Sequence, residues 1–135
     1  MAPWRGVRTP VFIRFYPRFP SSPKRAATFA AMHFPSAPAE TVAALAELLR
    51  SPRRIAIVTH YNPDGDALGS SLGLMHVLKA MGHRVQVVLP NPAPKNLHWM
   101  PGHAGTIDHD TAKAPSEKAL ADADLVFCLD FNRAD

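Results

Sequence analysis

The chain has 135 residues, 47% of them hydrophobic and 19% charged, which is room for at most one small domain. That composition excludes wholesale disorder of the low-hydrophobicity, high-charge kind, and no run of about eighteen apolar residues exists to form a membrane-spanning helix. The formal net charge of +4 is uneven: residues 1–39 hold six basic residues and no acid, whereas residues 40–135 sum to −2, so the basic character is an appendage and not a nucleic-acid-binding face on the folded part.

Seven of the 14 prolines also fall in residues 1–39. Each removes a backbone donor and restricts its predecessor, so neither a helix period nor a strand alternation is expected there. The segment lacks the apolar core of a secretory signal, and its prolines spoil the amphipathic helix of a transit peptide. An over-extended gene start with Met32 as first residue, a disordered basic arm and a transit peptide stay open as readings. Residues 1–35 are set outside the fold, and residues 36–135 are taken as the folded part.

From Ser36 the pattern is regular. Ser36 is the expected N-cap, Pro38 and Glu40 suit a first turn, and Val42, Leu45, Leu48 and Leu49 repeat at helical spacing up to Ser51-Pro52. Ile55-Ala56-Ile57-Val58 is apolar without alternation, as a strand buried on both faces of a parallel sheet reads. After a loop at 60–66, Leu68, Leu72, Met75, Leu78 and Met81 mark a second helix, which Gly82 ends. Val85–Leu89 closes a strand–helix–strand unit. A Pro-rich loop runs from Pro90 to Gly102, a weak strand is expected near Thr106-Ile107, and Ser116 is expected to cap a helix over 117–123. Leu125–Leu129 is a third buried strand, ending at Asp130, and is expected to lie at an exposed edge of the sheet. Alternating strands and helices predict an α/β fold with a mainly parallel, Rossmann-like sheet. The lone Cys128 allows no internal disulfide and fits a reducing, cytoplasmic compartment.

The loop His60-Tyr61-Asn62-Pro63-Asp64-Gly65-Asp66 joins the carboxyl end of a strand to the next helix, the edge where open α/β sheets bind ligands. One imidazole and two carboxylates within seven residues are the ligand set of Mn, Zn or Fe and too oxygen-rich for a thiolate site. Asn-Pro-Asp-Gly is also ordinary turn chemistry, and Asp66 alone reads equally as a helix cap. An EF-hand fails because Gly73 stands where a bidentate Glu is needed, and the Gly-Lys-Ser/Thr ending of a P-loop is absent.

The whole string Ile57-Val58-Thr59-His60-Tyr61-Asn62-Pro63-Asp64-Gly65-Asp66-Ala67-Leu68-Gly69-Ser70 resembles the first signature motif of the DHH phosphoesterases, nearest the nanoRNase and 3′-phosphoadenosine-5′-phosphate phosphatase branch. Leu129-Asp130-Phe131-Asn132-Arg133 is similar to the second motif, and the resemblance covers about residues 40–135. It implies a two-metal site: His60 and Asp64 on one Mn²⁺, Asp66 on the second, and Asp130 bridging both. Asp64, Asp66 and Asp130 become the catalytic carboxylates, with Arg133 as a weak phosphate contact. The implied reaction is in-line attack of an activated water on a phosphoester, with short RNA or a nucleotide as substrate and a homodimer as one arrangement of the complete protein.

The family's Asp-His-His motif and its C-terminal substrate domain are expected beyond residue 135, so this chain reads as an incomplete domain, inactive alone. Asp108-His109-Asp110 precedes Asp130, the wrong order for that motif, and reads as a surface turn. Other DHH-type chemistries (a cyclic-dinucleotide phosphodiesterase, a single-strand DNA exonuclease, a manganese pyrophosphatase) and a non-enzymatic metal- or nucleotide-binding remnant are the alternatives. His76 and His83 read as solvated or capping, and His98, Trp99 and His103 as loop packing in preference to base stacking.

Overall fold

The computed structural model describes the backbone of residues 10–13 and the chain from residue 38 to residue 131. In chain order the elements are β1 (Pro10–Ile13), α1 (Ala39–Leu48), β2 (Arg54–Val58), α2 (Gly65–Ala80), β3 (Arg84–Leu89), β4 (Ile107–Asp108), α3 (Lys113–Ala121) and β5 (Leu125–Leu129). Single 3-10 turns lie at Lys95–Leu97 and His103–Gly105. The chain divides into two units, residues 1–15 with 51–135, and residues 16–50.

In the first unit every strand pair is parallel and the order is β1-β5-β2-β3-β4. The α/β class read from the sequence is the one the structure has. The β2 and β5 strands can be central because they carry almost nothing that needs water: the last four residues of β2 and all five of β5 are buried. Successive strand side chains point to opposite faces. Ala56, Val58, Val88, Val126 and Cys128 pack on one face with Leu120 of α3 and Ala123 beyond it. Ile57, Val87 and Phe127, each at most 1% exposed, face the other way. There α2 supplies Ala67, Leu68, Leu72, Met75 and Leu78, buried at helical spacing. Opposite faces follow from handedness. The β2-α2-β3 crossover moves one way along the sheet and β4-α3-β5 moves back, and both must be right-handed.

Several expectations need correction. Residues 10–13 form a strand despite the surrounding prolines, with Pro10–Ile13 in register with Val126–Leu129. Pro10 is the first strand residue, a place where its missing N–H is tolerated. The β5 strand is therefore interior, between β1 and β2, and does not form an exposed edge. The rest of residues 1–37, Ser36 included, lies outside the described residues. In the second unit α1 starts after Pro38, without a side-chain cap, and none of its residues is buried.

The third helix begins at Lys113, earlier than expected, because Ser116 is not its cap. The Ser116 hydroxyl is buried inside the helix, donates to the Lys113 carbonyl at 2.7 Å and faces His109 Nδ1 at 2.7 Å. His83 is buried, not solvated: its Nδ1 accepts the Arg53 N–H at 3.2 Å. Gly82 does follow α2 with φ 91°, the left-handed conformation a helix-ending glycine provides.

Candidate metal centre at the carboxyl edge of the sheet

The neighbouring strands β2 and β5 are aligned so that Val58 lies opposite Cys128. Two residues beyond each partner, His60 and Asp130 emerge side by side, and His60 Nε2 lies 3.3 Å from Asp130 Oδ2. Asp64 reaches the same spot from the start of α2. His60, Asp64 and Asp130 each offer one ligand atom, and the three atoms lie within 4.8 Å of one another. Residues 70 apart in sequence thus meet through strand register.

The local backbone is shaped for this. Asn62 and Asp130 both take positive φ, 57° and 58°, a region where Asn and Asp are the non-glycine residues most often found. At Asn62 the bend is held by Asn91, which follows β3. The Asn62 N–H donates to Asn91 Oδ1 at 2.7 Å, and Asn91 Nδ2 donates back to Asn62 Oδ1 at 3.2 Å. Pro63 is buried beneath the loop. Asp64 is the N-cap of α2, its Oδ1 accepting the N–H groups of Asp66 and Ala67 at 3.0 Å each. The cap that the sequence reading weighed for Asp66 therefore belongs to Asp64, whose carboxylate also offers an oxygen to the cluster.

The electrostatics call for a positive charge. The His60 ring lies 2.8 Å from the Tyr61 carbonyl through Nδ1, which can only accept, so the ring donates there. Neutral His60 then turns the lone pair of Nε2 toward the carboxylate of Asp130. Two acceptors 3.3 Å apart repel unless a proton or a cation lies between them. One imidazole nitrogen with two carboxylates is a suitable donor set for a first-row divalent cation, and the N-terminal end of α2 adds partial positive charge for an anion. Cys128 takes no part. Its thiol is buried and pushed up to about 11 by that burial, so it stays a neutral apolar group.

Asp66 lies outside the three-residue group, exposed in the first turn of α2. Arg133 lies outside the described residues. Asp108-His109-Asp110 is not the plain surface turn expected: Asp108 pairs with Leu89 in β4, its Oδ1 is buried without a partner, and the His109 N–H donates to the Leu89 carbonyl at 2.8 Å. The histidines of the Pro-rich loop do pack, His98 stacking on His103 at 4.2 Å between centroids, but Trp99 is 74% exposed. His76 is not simply solvated, since its Nε2 donates to the Pro101 carbonyl at 3.1 Å and ties that loop to α2. The sequence reading missed Asn91, and its only signal was an Asn-Pro just past a strand on the carboxyl edge.

Similarity to known proteins agrees with this architecture. The chain is 43% identical over 63 residues to the bifunctional oligoribonuclease and PAP phosphatase NrnA of Thermus thermophilus, a match covering 46% of this chain and 19% of that protein. The crystal structure of an exopolyphosphatase-related protein from Bacteroides fragilis superposes with a TM-score of 0.71 at 36% identity, over 75% of this chain and 30% of that one. The chain thus spans about a fifth of the length of the curated relative it matches. The model of the DHH family, N-terminal domain, matches residues 54–135, more than half of the chain and the whole of the sheet from β2 onward, and the chain belongs to that family.

Proposed function

We propose that the chain is the N-terminal part of a cytoplasmic, Mn²⁺-dependent phosphoesterase acting on short oligoribonucleotides, on 3′-phosphoadenosine 5′-phosphate, or on both. The observation that carries this reading is the convergence of His60, Asp64 and Asp130 within 4.8 Å at the carboxyl edge. The activities printed in the name of the Thermus relative supply the substrate classes. In this reading His60 and Asp64 would hold one Mn²⁺, Asp66 would serve a second, and Asp130 would contribute to both. When bound, such a pair supplies Lewis-acid polarisation of a phosphoryl oxygen and a more acidic water.

The chain's own residues account for the rest. The hydrogen bond from His60 Nδ1 to the Tyr61 carbonyl fixes the tautomer and aims Nε2 into the site, as an outer-shell partner does for a ligating histidine. The left-handed turn at Asp130 points its carboxylate back across the end of β5 toward His60. The Asn62–Asn91 clamp holds the loop so that Asp64 can cap α2 and face the cluster together. The first turn of α2 presents its positive end to a phosphate. Asp66 and Asp130 give the second ion only two carboxylates from this chain, so the 135 residues alone should bind Mn²⁺ but not turn over.

The test is Mn²⁺ calorimetry on the chain, followed by assay of a short oligoribonucleotide and of 3′-phosphoadenosine 5′-phosphate. Saturable Mn²⁺ binding that Asp130→Ala abolishes and Asp110→Asn leaves intact is expected. Absence of Mn²⁺ binding would overturn the metal centre. Oligonucleotide turnover by the chain alone that vanishes in Asp64→Ala would overturn its insufficiency.

A further inference from the structure

Among the described residues two aromatic side chains are largely exposed, Tyr61 at 62% and Trp99 at 74%. A tyrosine ring is a large apolar surface that folding usually hides. Tyr61 is held out in water and is also tethered. Its backbone carbonyl is anchored by the His60 ring at 2.8 Å. Its hydroxyl donates to Asp110 Oδ2 at 3.4 Å, across the loops that follow β3 and β4. The backbone is thus anchored beside His60 and the ring is tethered at its hydroxyl end, along the carboxyl edge of the sheet. Its Cα is one residue, about 3.8 Å, from that of His60. Among the described residues no comparable tether holds the Trp99 indole, which is 74% exposed in the Pro-rich loop.

We infer that Tyr61 is the base-stacking platform of this site, taking the nucleobase of the nucleotide whose phosphate sits at His60, Asp64 and Asp130. The inference rests on the proposed phosphoesterase site and adds the group that reads the organic part of its substrate. A phosphate at the cluster has its base only one sugar away, and a fixed, exposed ring beside the cluster offers that base a π-face. Stacking of this kind tolerates any base, because every base has such a face. It therefore suits a site that takes short nucleic acid of mixed sequence. The tethers matter because a ring already ordered loses little freedom when a base lands on it.

The test compares AMP with ribose 5-phosphate, the same phosphate and sugar without a base, binding to the Mn²⁺-loaded 135-residue chain by calorimetry. Wild-type chain is expected to bind AMP about tenfold more tightly. Tyr61→Ala should bring the two affinities together while leaving ribose 5-phosphate and Mn²⁺ binding unchanged, a pattern that a merely structural role for the ring would not give. Tyr61→Leu, which keeps apolar bulk without a π-system, should behave like Tyr61→Ala, and Tyr61→Phe should keep most of the preference. Equal binding of both ligands by the wild type overturns the platform and leaves the phosphate site standing. Loss of the preference in Trp99→Ala but not in Tyr61→Ala assigns stacking to the wrong ring and also overturns it. Failure of both ligands to bind removes the site itself, and the inference with it.

Discussion

Asp64 does two things with one carboxylate, and two substitutions separate them. Oδ1 accepts the N–H groups of Asp66 and Ala67, and the carboxylate also offers an oxygen to the His60–Asp130 cluster. Asn keeps an oxygen for the cap and loses the charge; Ala loses both. Loss of a cap costs typically about 1 kcal/mol, and Asn caps about as well as Asp. Either change also removes one negative charge from beside Asp130, which relieves repulsion in the metal-free protein and loses attraction to the α2 dipole. Those charge effects are common to both variants and cancel when the two are compared. Metal-free Asp64→Ala should therefore be about 1 kcal/mol less stable than Asp64→Asn, roughly 4–8 °C for a domain this small. Mn²⁺ at a hundred times its dissociation constant should stabilise the wild type by about 2.7 kcal/mol and should stabilise neither variant appreciably. Thermal melts with and without Mn²⁺ read both quantities. Asp64→Asn with a full Mn²⁺-dependent rise would show that Asp64 is only a cap. Equal metal-free midpoints for Asp64→Ala and Asp64→Asn would show that the cap contributes nothing.

Further outcomes follow from other parts of the molecule. Deleting residues 1–13 should lower the unfolding free energy from a urea titration by on the order of 2 kcal/mol, a few ladder hydrogen bonds at about 1 kcal/mol each; an unchanged value would show that β1 does not pair with β5. Gly102 has φ 92°, and a Cβ there would lie 2.5 Å from Met75 Cε, so Gly102→Ala should cost at least about 1 kcal/mol in a urea titration. The Cys128 thiol, held up at about 11, should resist iodoacetamide at pH 8 in the native chain and react readily in denaturant. Arg54 hydrogen bonds hold the Asp124 carboxyl below its usual range. That pair should therefore support folding above the ordinary carboxylate pKa and fade as pH falls through the lowered value. Asp124→Asn should flatten the acid limb of a plot of urea midpoint against pH.

The elements that bury long apolar runs were legible in the sequence. Ile55–Val58 and Leu125–Leu129 need no partner to announce themselves, because a strand covered on both faces tolerates few polar positions, and Val85–Leu89 carries only one, the half-buried Gln86. The β1 strand was not legible, since its four residues sit among prolines and are a strand only through pairing with β5. The start of α3 was missed for a related reason. Ser116 has the chemistry of a cap, but its hydroxyl is taken by His109 and the Lys113 carbonyl, and neither contact leaves a mark in local spacing. In the site loop, sequence grounds pointed to Asp66 as the cap, whereas the N–H groups of Asp66 and Ala67 are taken by Asp64. Asn91 could not be found at all, because its partner lies 29 positions away.

What no spacing rule could supply is the adjacency of His60 and Asp130, and the sheet order explains it. From β2 the chain winds outward through β3 to β4, then returns past its starting point to place β5 on the other side of β2. The loop leaving β2 runs into α2 on one face, whereas Phe131, just past β5, packs against the cluster on the other face. Between diverging loops a parallel sheet opens a crevice, the switch point at which such folds bind ligands. His60 and Asp130 are the second residues past the register pair Val58 and Cys128, so both stand in that crevice at the same height. The fold thus fixes where a cation can sit before any side chain is considered. The side chains then decide the charge: an imidazole and two carboxylates in a crevice that α2 approaches with its positive end, a combination suited to a divalent cation below and a phosphate above.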